Sequence, residues 1–423
     1  MNGHPAAPGA GAGLPASIAE QVHAAQGYLE AHQIAPVMHR LMALLVYHRP
    51  ATNHLSDILP TPAHICKRPG TDKASFDRAL SAEVARENAQ ERSGDFVESS
   101  IARHFDISDD FKGYSGQFSP SLVDKLKKSS KVAAVEPVVP VYASGSQSGA
   151  TWGLVRISER ALDLTKPYVY PSSAGSGVDV YIVDTGIYTA HPDFGGRAKW
   201  GTTTCDDCVD EDDNGHGTHV AGTVASKTYG VAKSANVIAV KVLGGDGSGT
   251  NEGVIAGINY VAEQAKAKGK TVAANMSLGG SYSAALNSAV KAATSSGVVF
   301  AVAAGNENQD ACNTSPASEP SAITVGSTTK TETRSSFSNY GKCLDIFAPG
   351  SSITSTWNNG GTNTISGTSM ASPHVAGVAA LLIGQDPSAS ASTIVSRLIS
   401  NSTPSVVKSG GSGSPNKLAY VAQ

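Results

Sequence analysis

Apolar runs that alternate with helical patterns constrain the fold of residues 143–423 more than any other feature of the chain. The candidate strands are 178–183, 237–243, 271–277, 298–304 and 321–326. The candidate helices are 216–226, 252–267, 283–295, 368–384 and 391–400. The strands are continuously apolar rather than alternating, which is typical of strands buried on both faces. The pattern predicts an α/β fold, a parallel sheet flanked by helices, with a functional site beyond the carboxyl ends of its strands.

A serine lies at the mouth of the candidate helix 368–384. This residue, Ser369, follows a loop of small residues, and Pro373 is expected in the first turn, where a missing N–H is tolerated. The unpaired N–H groups and the positive end of the helix dipole would favour negative charge developing beside the serine oxygen. The same pattern also describes an ordinary N-cap serine, so a catalytic role needs further residues.

Two upstream motifs supply those residues. Asp184 follows the strand candidate 178–183, and His216 begins the helix candidate 216–226. A serine hydroxyl is a poor nucleophile unless an imidazole takes its proton and a carboxylate orients that imidazole. The order Asp184, His216, Ser369 is the subtilisin order and differs from those of chymotrypsin and the α/β-hydrolases. From about residue 150 onward the chain therefore resembles the subtilase serine peptidases, and specifically their proteinase K-like branch.

The resemblance implies further site residues. Asn306 would donate to the oxyanion together with the backbone N–H of Ser369. Two backbone segments would flank an extended peptide by strand addition: Gly247, Ser248 and Gly249 on one side, and Ser277, Leu278 and Gly279 on the other. Small residues would wall a roomy pocket for a large hydrophobic P1 side chain, with broad tolerance: Ala303, Ala304, Gly305 and Gly279.

The resemblance also implies a structural Ca²⁺ and no organic cofactor. The carbonyl oxygens of Pro320 and Ala322 and the carboxylate of Asp345 match the tight calcium site of the family. Oxygen ligands of this kind suit a hard cation.

Four of the five cysteines fall in the C-terminal part, an even number that permits disulfides and an oxidising compartment. The family has members with a bridge at positions matching Cys312 and Cys343, and we expect that pair. Cys205 and Cys208 are compatible with a local disulfide, a redox pair or half a metal site. A zinc site with the nearby histidines competes with the role of His216 in the triad, so we favour the local disulfide.

The N-terminal third predicts a second domain. Residues 62–142 follow a strand–helix–strand–strand–helix–strand pattern, which indicates a small α+β, ferredoxin-like domain. Ahead of a subtilase domain it resembles a subtilisin-type propeptide, an intramolecular inhibitor whose tail, 138–142, would occupy the substrate cleft. Processing would then fall near Tyr142 or Ala143, and Ala143–Thr151 reads as a flexible linker before the catalytic domain, 143–423. Residues 1–61 are of low complexity or unassigned.

Composition bounds the partners. The 423-residue chain carries a formal net charge of −3, which gives no indication of a nucleic acid or an anionic membrane as partner. No run reaches the roughly 18 apolar residues of a membrane-spanning helix. We expect a monomer that acts on protein or peptide substrates. The resemblance implies secretion, although residues 1–17 do not resemble a signal peptide.

Two other classes of protein share part of this sequence pattern. An aspartic peptidase also contains the sequence Asp184-Thr185-Gly186, but it needs a second such motif, which this chain lacks. A non-catalytic subtilase relative would require the loss of a triad residue or of the oxyanion donor. All four residues are present. The sequence therefore predicts a secreted serine endopeptidase made as a self-processing zymogen.

Overall fold

The computed structural model describes residues 61–67, 72–90, 99–108, 111–138 and 144–422. The chain divides into two compact units, Met1–Val141 and Tyr142–Gln423. The expected low-complexity segment and the expected processing site near Tyr142 and Ala143 lie outside the described residues. No helix in the described part of the chain is long and apolar enough to cross a membrane.

In the part that the structure describes, the first unit contains a four-stranded antiparallel sheet and two helices. Its elements in chain order are β1 (Thr61–Lys67), α1 (Lys73–Gln90), β2 (Ser100–Ser108), β3 (Phe111–Phe118), α2 (Pro120–Lys127) and β4 (Val132–Pro137). The strand order is β2-β3-β1-β4. The order of elements is the one that the periodicity predicts.

The start of α2 illustrates why that prediction was possible. The hydroxyl of Ser119 accepts a hydrogen bond from Leu122 N, and Pro120 occupies the first helical turn, as expected for an N-cap followed by proline. Leu122 and Leu126 are buried in the core of this unit.

In its described residues the second unit contains fifteen strands, nine of which form its main sheet. Its strands are β5 (Ser144–Gln147), β6 (Tyr168–Pro171), β7 (Asp179–Asp184), β8 (Ala198–Thr203), β9 (Asn236–Lys241), β10 (Val272–Met276), β11 (Gly280–Ser281), β12 (Val298–Ala303), β13 (Thr314–Ser315), β14 (Ile323–Thr328), β15 (Ile346–Pro349), β16 (Ile353–Thr356), β17 (Thr362–Ile365), β18 (Thr403–Pro404) and β19 (Lys417–Leu418). Its helices are α3 (Trp152–Ser158), α4 (His216–Ala225), α5 (Asn251–Lys268), α6 (Ala284–Ser295), α7 (Thr368–Gln385) and α8 (Ala391–Asn401). The order in the main sheet is β18-β19-β15-β14-β12-β10-β7-β9-β8.

Helices cover both faces of this sheet because alternate strand residues point to opposite sides. Val180 and Ile182 of β7 belong to the core that contains α4 and α7. Tyr181 and Val183 of the same strand belong to a second core that contains α5 and α6. The result is the α/β architecture predicted from the continuous apolar runs, with the carboxyl ends of β7, β10 and β12 along one edge.

The expected parallel sheet is confirmed for its main strands, and one short edge strand, β18, pairs with β19 in the antiparallel direction. Two local expectations were wrong. The segment read as a linker is not free chain, because Ser144–Gln147 pairs with Tyr168–Pro171. Pro373 lies inside α7 rather than in its first turn, since the helix already begins at Thr368.

Candidate active site

The acid and the imidazole meet at the carboxyl end of β7. Asp184 is the last residue of β7 and is fully buried, and its Oδ1 lies 2.7 Å from Nδ1 of His216. The same oxygen accepts a hydrogen bond of 2.8 Å from Thr185 N. Burial alone would lower the pKa of His216, but the charge of Asp184 and the hydrogen bond to it, together with the charge of Asp212, raise that pKa above its ordinary value of 6.5. The pair therefore favours an imidazolium that Asp184 stabilises.

Glycines allow the histidine helix to begin this close to β7. Gly215 caps α4 with φ of 106°, a left-handed conformation that side chains disfavour. At Gly217 a Cβ would lie 2.1 Å from the carbonyl oxygen of Gly186, so no larger residue fits there. These two glycines explain why the small-residue motif surrounds His216.

Ser369 lies in the first turn of α7 and is half-buried. Its Oγ donates a 3.2 Å hydrogen bond to the main-chain oxygen of Ser277, at the end of β10. Within the described residues no hydrogen bond joins this oxygen to the ring of His216. Catalytic hydrogen bonds are often long or misaligned without substrate, and a rotation about one side-chain bond redirects the hydroxyl.

The orientation of the Asn306 amide is set by Thr368. Oδ1 of Asn306 accepts hydrogen bonds from Thr368 N at 2.8 Å and from Thr368 Oγ1 at 3.0 Å. Since the oxygen is committed to Thr368, Nδ2 is the atom left to donate. Gly367 precedes Thr368 and Ser369 in the chain. A Cβ added at Gly367 would lie 3.6 Å from Ser369 N and 3.8 Å from Asn306 Oδ1. The side chain of Asn306 and the backbone N–H of Ser369 are therefore close together.

A cleft of about 470 Å³ contains Ser369 and Asn306. Its other lining residues are Leu278, Gly279, Gly280, Ser281, Ala303, Gly305, Glu307, Gln309, Asn313, Thr314 and Thr368. Leu278, Gly279, Ala303 and Gly305 are among those expected from the sequence. Ala304 is not in the lining, because it is fully buried in a separate apolar cluster.

The polar residues in the lining of the cleft were not predicted from the sequence. Glu307, Gln309 and Asn313 follow Asn306 closely and give the pocket a carboxylate and amides beside its apolar wall. A pair of strands, β11 with β13, brings Thr314 to the same cleft. The position of Glu307 directly after Asn306 is the one sequence signal that could have predicted this carboxylate in the pocket.

The other expected substrate edge, Gly247–Gly249, lies in a loop next to the segment that carries His216. Gly247, Ser248 and Gly249 are exposed, and their loop is held to the His216 segment by a hydrogen bond of 2.9 Å from Asn214 Nδ2 to the main-chain oxygen of Gly245. They do not line the 470 Å³ cleft.

Asp345, expected to bind calcium, is a half-buried carboxylate beside the strand that follows Pro320 and Ala322. Its Oδ2 accepts a hydrogen bond of 2.8 Å from Thr324 N. Burial raises the pKa of Asp345 to about 6, against the smaller opposing effects of this hydrogen bond and of Lys417. A half-buried carboxylate with one N–H donor and no short ion pair among the described residues is a chemically suitable ligand for a hard cation.

Both expected cysteine pairs are bonded. The structure contains the disulfides Cys312–Cys343 and Cys205–Cys208, so the redox-pair and metal-site alternatives for the second pair give way to a local bridge. In the described part of the chain no cluster of three or more His, Cys, Asp or Glu side chains could hold a metal ion.

The family model for the Subtilase family matches residues 175–420, and the model for Peptidase inhibitor I9 matches residues 67–144. The chain is 53% identical over 314 residues to "Subtilisin-like protease 2" of Pseudogymnoascus destructans, covering 73% of this chain and 78% of that protein. It is 52% identical over 322 residues to "Sexual differentiation process putative subtilase-type proteinase isp6" of Schizosaccharomyces pombe, covering 74% and 69%.

A solved structure described as a cold adapted subtilisin-like serine proteinase matches with a TM-score of 0.63 and 50% identity, over 65% of this chain and all of that one. Together with the two family models, this likeness establishes the fold of the second unit and the kind of domain that precedes it. The chain belongs to the subtilase family of serine proteases and carries an I9-type inhibitor propeptide ahead of its peptidase domain.

Proposed function

We propose that this protein is a secreted serine endopeptidase of broad specificity that hydrolyses peptide bonds through Asp184, His216 and Ser369. The observation that carries the proposal is the 2.7 Å contact between buried Asp184 and His216, together with the cleft that contains both Ser369 and Asn306. The family membership supports the reaction class.

The chemistry follows from the roles of the three side chains. His216 takes the proton of the Ser369 hydroxyl as its oxygen attacks the scissile carbonyl carbon, and Asp184 holds the ring and stabilises the imidazolium. His216 then gives this proton to the departing amine, which leaves an acyl group on Ser369. A water molecule releases the acyl group by the same route, with His216 again as base.

Asn306 is assigned to the oxyanion. Its Nδ2 and the backbone N–H of Ser369 would donate to the oxygen that becomes negative in the tetrahedral intermediate. The commitment of Oδ1 to Thr368 supports this role, because it prevents the amide from presenting its oxygen to a negative charge.

Substrate binding is assigned to backbone edges rather than to particular side chains. The edge Ser277–Gly279 and the edge Gly247–Gly249 would hold an extended peptide by main-chain hydrogen bonds, which any sequence can form. Leu278, Ala303 and Gly305 leave room for a large hydrophobic P1 side chain. Glu307 in the same lining would disfavour an acidic P1 residue by charge repulsion.

The propeptide would make the enzyme a zymogen. We assign residues 62–142 to an inhibitor domain that is cut from the catalytic domain, 143–423, near Tyr142 or Ala143 by the enzyme's own active site. The match of the inhibitor model to residues 67–144 supports this division. Structural Ca²⁺ is assigned to the Pro320 and Ala322 carbonyls and Asp345, where it would stabilise the fold without taking part in the reaction.

An irreversible sulfonyl fluoride tests the assignment of the nucleophile. Purified mature enzyme is treated with phenylmethylsulfonyl fluoride, digested and mapped by mass spectrometry, with activity measured in parallel on peptides that differ only at P1. We expect one modified residue, Ser369, in proportion to lost activity, and faster cleavage after Phe or Leu than after Glu. Inactivation with the label on another residue would contradict the proposal.

A further inference from the structure

The mechanism leaves one buried carboxylate beside the triad without a role. Asp212 precedes the histidine helix by four residues, is 7% exposed, and lies between that helix and the strand that ends in Asp184. We propose that Asp212 is a positioning residue for His216, fixing the start of α4 against the end of β7 and placing a fixed negative charge near the imidazole. This inference rests on the proposed function of the triad.

One carboxylate oxygen of Asp212 holds the segment just before His216. Its Oδ1 accepts hydrogen bonds from Gly215 N at 2.8 Å and from Asn214 N at 3.2 Å. The other oxygen holds the segment just after it: Oδ2 accepts from Thr218 N at 2.9 Å and from Thr218 Oγ1 at 2.5 Å. The backbone on both sides of His216 is therefore bound to one side chain.

Thr185 connects this carboxylate to the triad acid. Its hydroxyl donates to Asp212 Oδ1 at 2.8 Å and accepts from Gly217 N at 2.9 Å. The backbone N–H of the same residue donates to Asp184 Oδ1 at 2.8 Å. A short series of hydrogen bonds thus links the orientation of Asp184 to the position of the backbone that carries His216.

The surroundings keep Asp212 itself in place. Its main-chain oxygen accepts a hydrogen bond of 2.9 Å from Asn358 Nδ2, in the loop between β16 and β17. The neighbouring Trp357 packs against Gly215, where a Cβ would come within 2.5 Å of the indole ring. Because both ends of the network are anchored, loss of the carboxylate would act on the His216 segment rather than be absorbed by Asp212 moving.

The charge of Asp212 adds to the geometric effect. Among the described residues, Asp184 and Asp212 are the charged groups that act on His216, with His219, Asp213 and Lys241 on the segments packed around it. Lys241 lies 2.7 Å from Asp213, so these two charges largely offset each other. Burial lowers the pKa of His219 to about 4, which leaves it neutral at working pH. Asp184 and Asp212 are then the net negative groups that favour the imidazolium, and both raise the pKa of His216.

The test replaces Asp212 by the isosteric amide in the full chain and follows the mature enzyme on one peptide substrate. We expect Asp212→Asn to lower kcat about 10- to 100-fold with little change in KM, because small misplacements of a reacting group cost rates of this order. We also expect the midpoint of the acidic limb of kcat/KM to move to lower pH. Asp193→Asn is the matched control: its carboxylate also accepts from a threonine N–H and hydroxyl, those of Thr228, but away from the site.

A second pair of variants tests the effect of Asp212 on the position of His216, even where Asp212→Asn does not mature. Thr185→Val removes the hydroxyl that bonds Asp212 and Gly217 and should lower kcat. Thr185→Ser retains this hydroxyl and should keep kcat near the wild-type value. Wild-type kcat in Asp212→Asn, or in Thr185→Val, would overturn the inference, as would a lowered kcat with an unmoved pH midpoint in Asp212→Asn. If the triad assignment itself is wrong, the wild-type enzyme fails the sulfonyl fluoride labelling, which separates the two failures.

Discussion

Ser277 and Ser369 hydrogen-bond to each other in both directions. The hydroxyl of Ser277 donates to the main-chain oxygen of Ser369 at 2.7 Å, and the hydroxyl of Ser369 donates to the main-chain oxygen of Ser277 at 3.2 Å. The first bond has a local cause. In a regular helix the residue at position 373 would donate to Ser369 O, but Pro373 has no N–H. The substrate edge at the end of β10 is thereby fastened to the turn that carries the nucleophile.

This relationship predicts a rescue. Ser277→Ala should lower the free energy of unfolding by about 1–3 kcal/mol, because it removes the hydroxyl donor to the partly buried main-chain oxygen of Ser369. Adding Pro373→Ala restores a helical N–H for that oxygen and should recover part of the loss. Thermal unfolding of the sulfonyl fluoride-inactivated enzymes measures both effects, and strict additivity of the two substitutions would contradict this account.

Replacement of the oxyanion donor should affect turnover more than binding. Asn306→Ala removes the Nδ2 donor, and loss of one such donor typically costs about 2.7–4 kcal/mol, or roughly 100- to 1,000-fold in kcat. KM on a peptide substrate should stay near the wild-type value. Asn259→Ala, on the exposed side of α5, is the control and should retain full activity. An Asn306→Ala enzyme with raised KM and normal kcat would place Asn306 in ground-state binding instead.

The pH dependence of the reaction should report the state of His216. The imidazole must be neutral to accept a proton, so activity is lost as pH falls through its pKa. Because Asp184 and Asp212 raise that pKa, the acidic limb of kcat/KM should have its midpoint above 6.5. Steady-state rates measured between pH 5 and 9 at constant ionic strength test this. A midpoint below 6.5 would mean that burial outweighs the two carboxylates.

Removal of calcium should destabilise the mature enzyme. A ligand at about 100 times its Kd stabilises the folded state by roughly 2.7 kcal/mol, so a chelator should lower the melting temperature measurably. Asp345→Asn should remove most of this calcium dependence. Asp386→Asn, an acid paired with Arg397 on the surface, should leave it intact. Equal responses of the wild-type and Asp345→Asn enzymes to the chelator would exclude Asp345 as a ligand.

Local patterns predicted the elements that depend on local physics. β12, found at Val298–Ala303, was expected at 298–304, because a run of buried apolar residues specifies a central strand without further information. The hairpin of β16 and β17 was not predicted, since its residues are mostly polar and its position depends on contacts such as Thr356 Oγ1 to Thr218 O, 138 residues away.

Some residues of the candidate site could likewise be predicted from the sequence, and others could not. Asp184, His216 and Ser369 stand in motifs whose chemistry can be predicted from neighbouring residues, and the role of Asn306 is implied by the family resemblance that these motifs carry. The role inferred for Asp212 could not be read, because an acid in a run of acids looks like a solvated loop until its long-range partner Thr185 is known. Pro373 was misplaced for a related reason: its compensation comes from a residue 96 positions earlier in the chain, Ser277.

The most direct test of the central claim is the fate of the propeptide in Ser369→Ala. The full chain of 43.2 kDa is expressed in pure form and followed by mass spectrometry and N-terminal sequencing. We predict that the wild-type chain is cut near Tyr142 or Ala143, whereas Ser369→Ala stays intact until a trace of wild-type enzyme is added. Cleavage of Ser369→Ala at the same bond, with no other peptidase present, would contradict self-processing by this site.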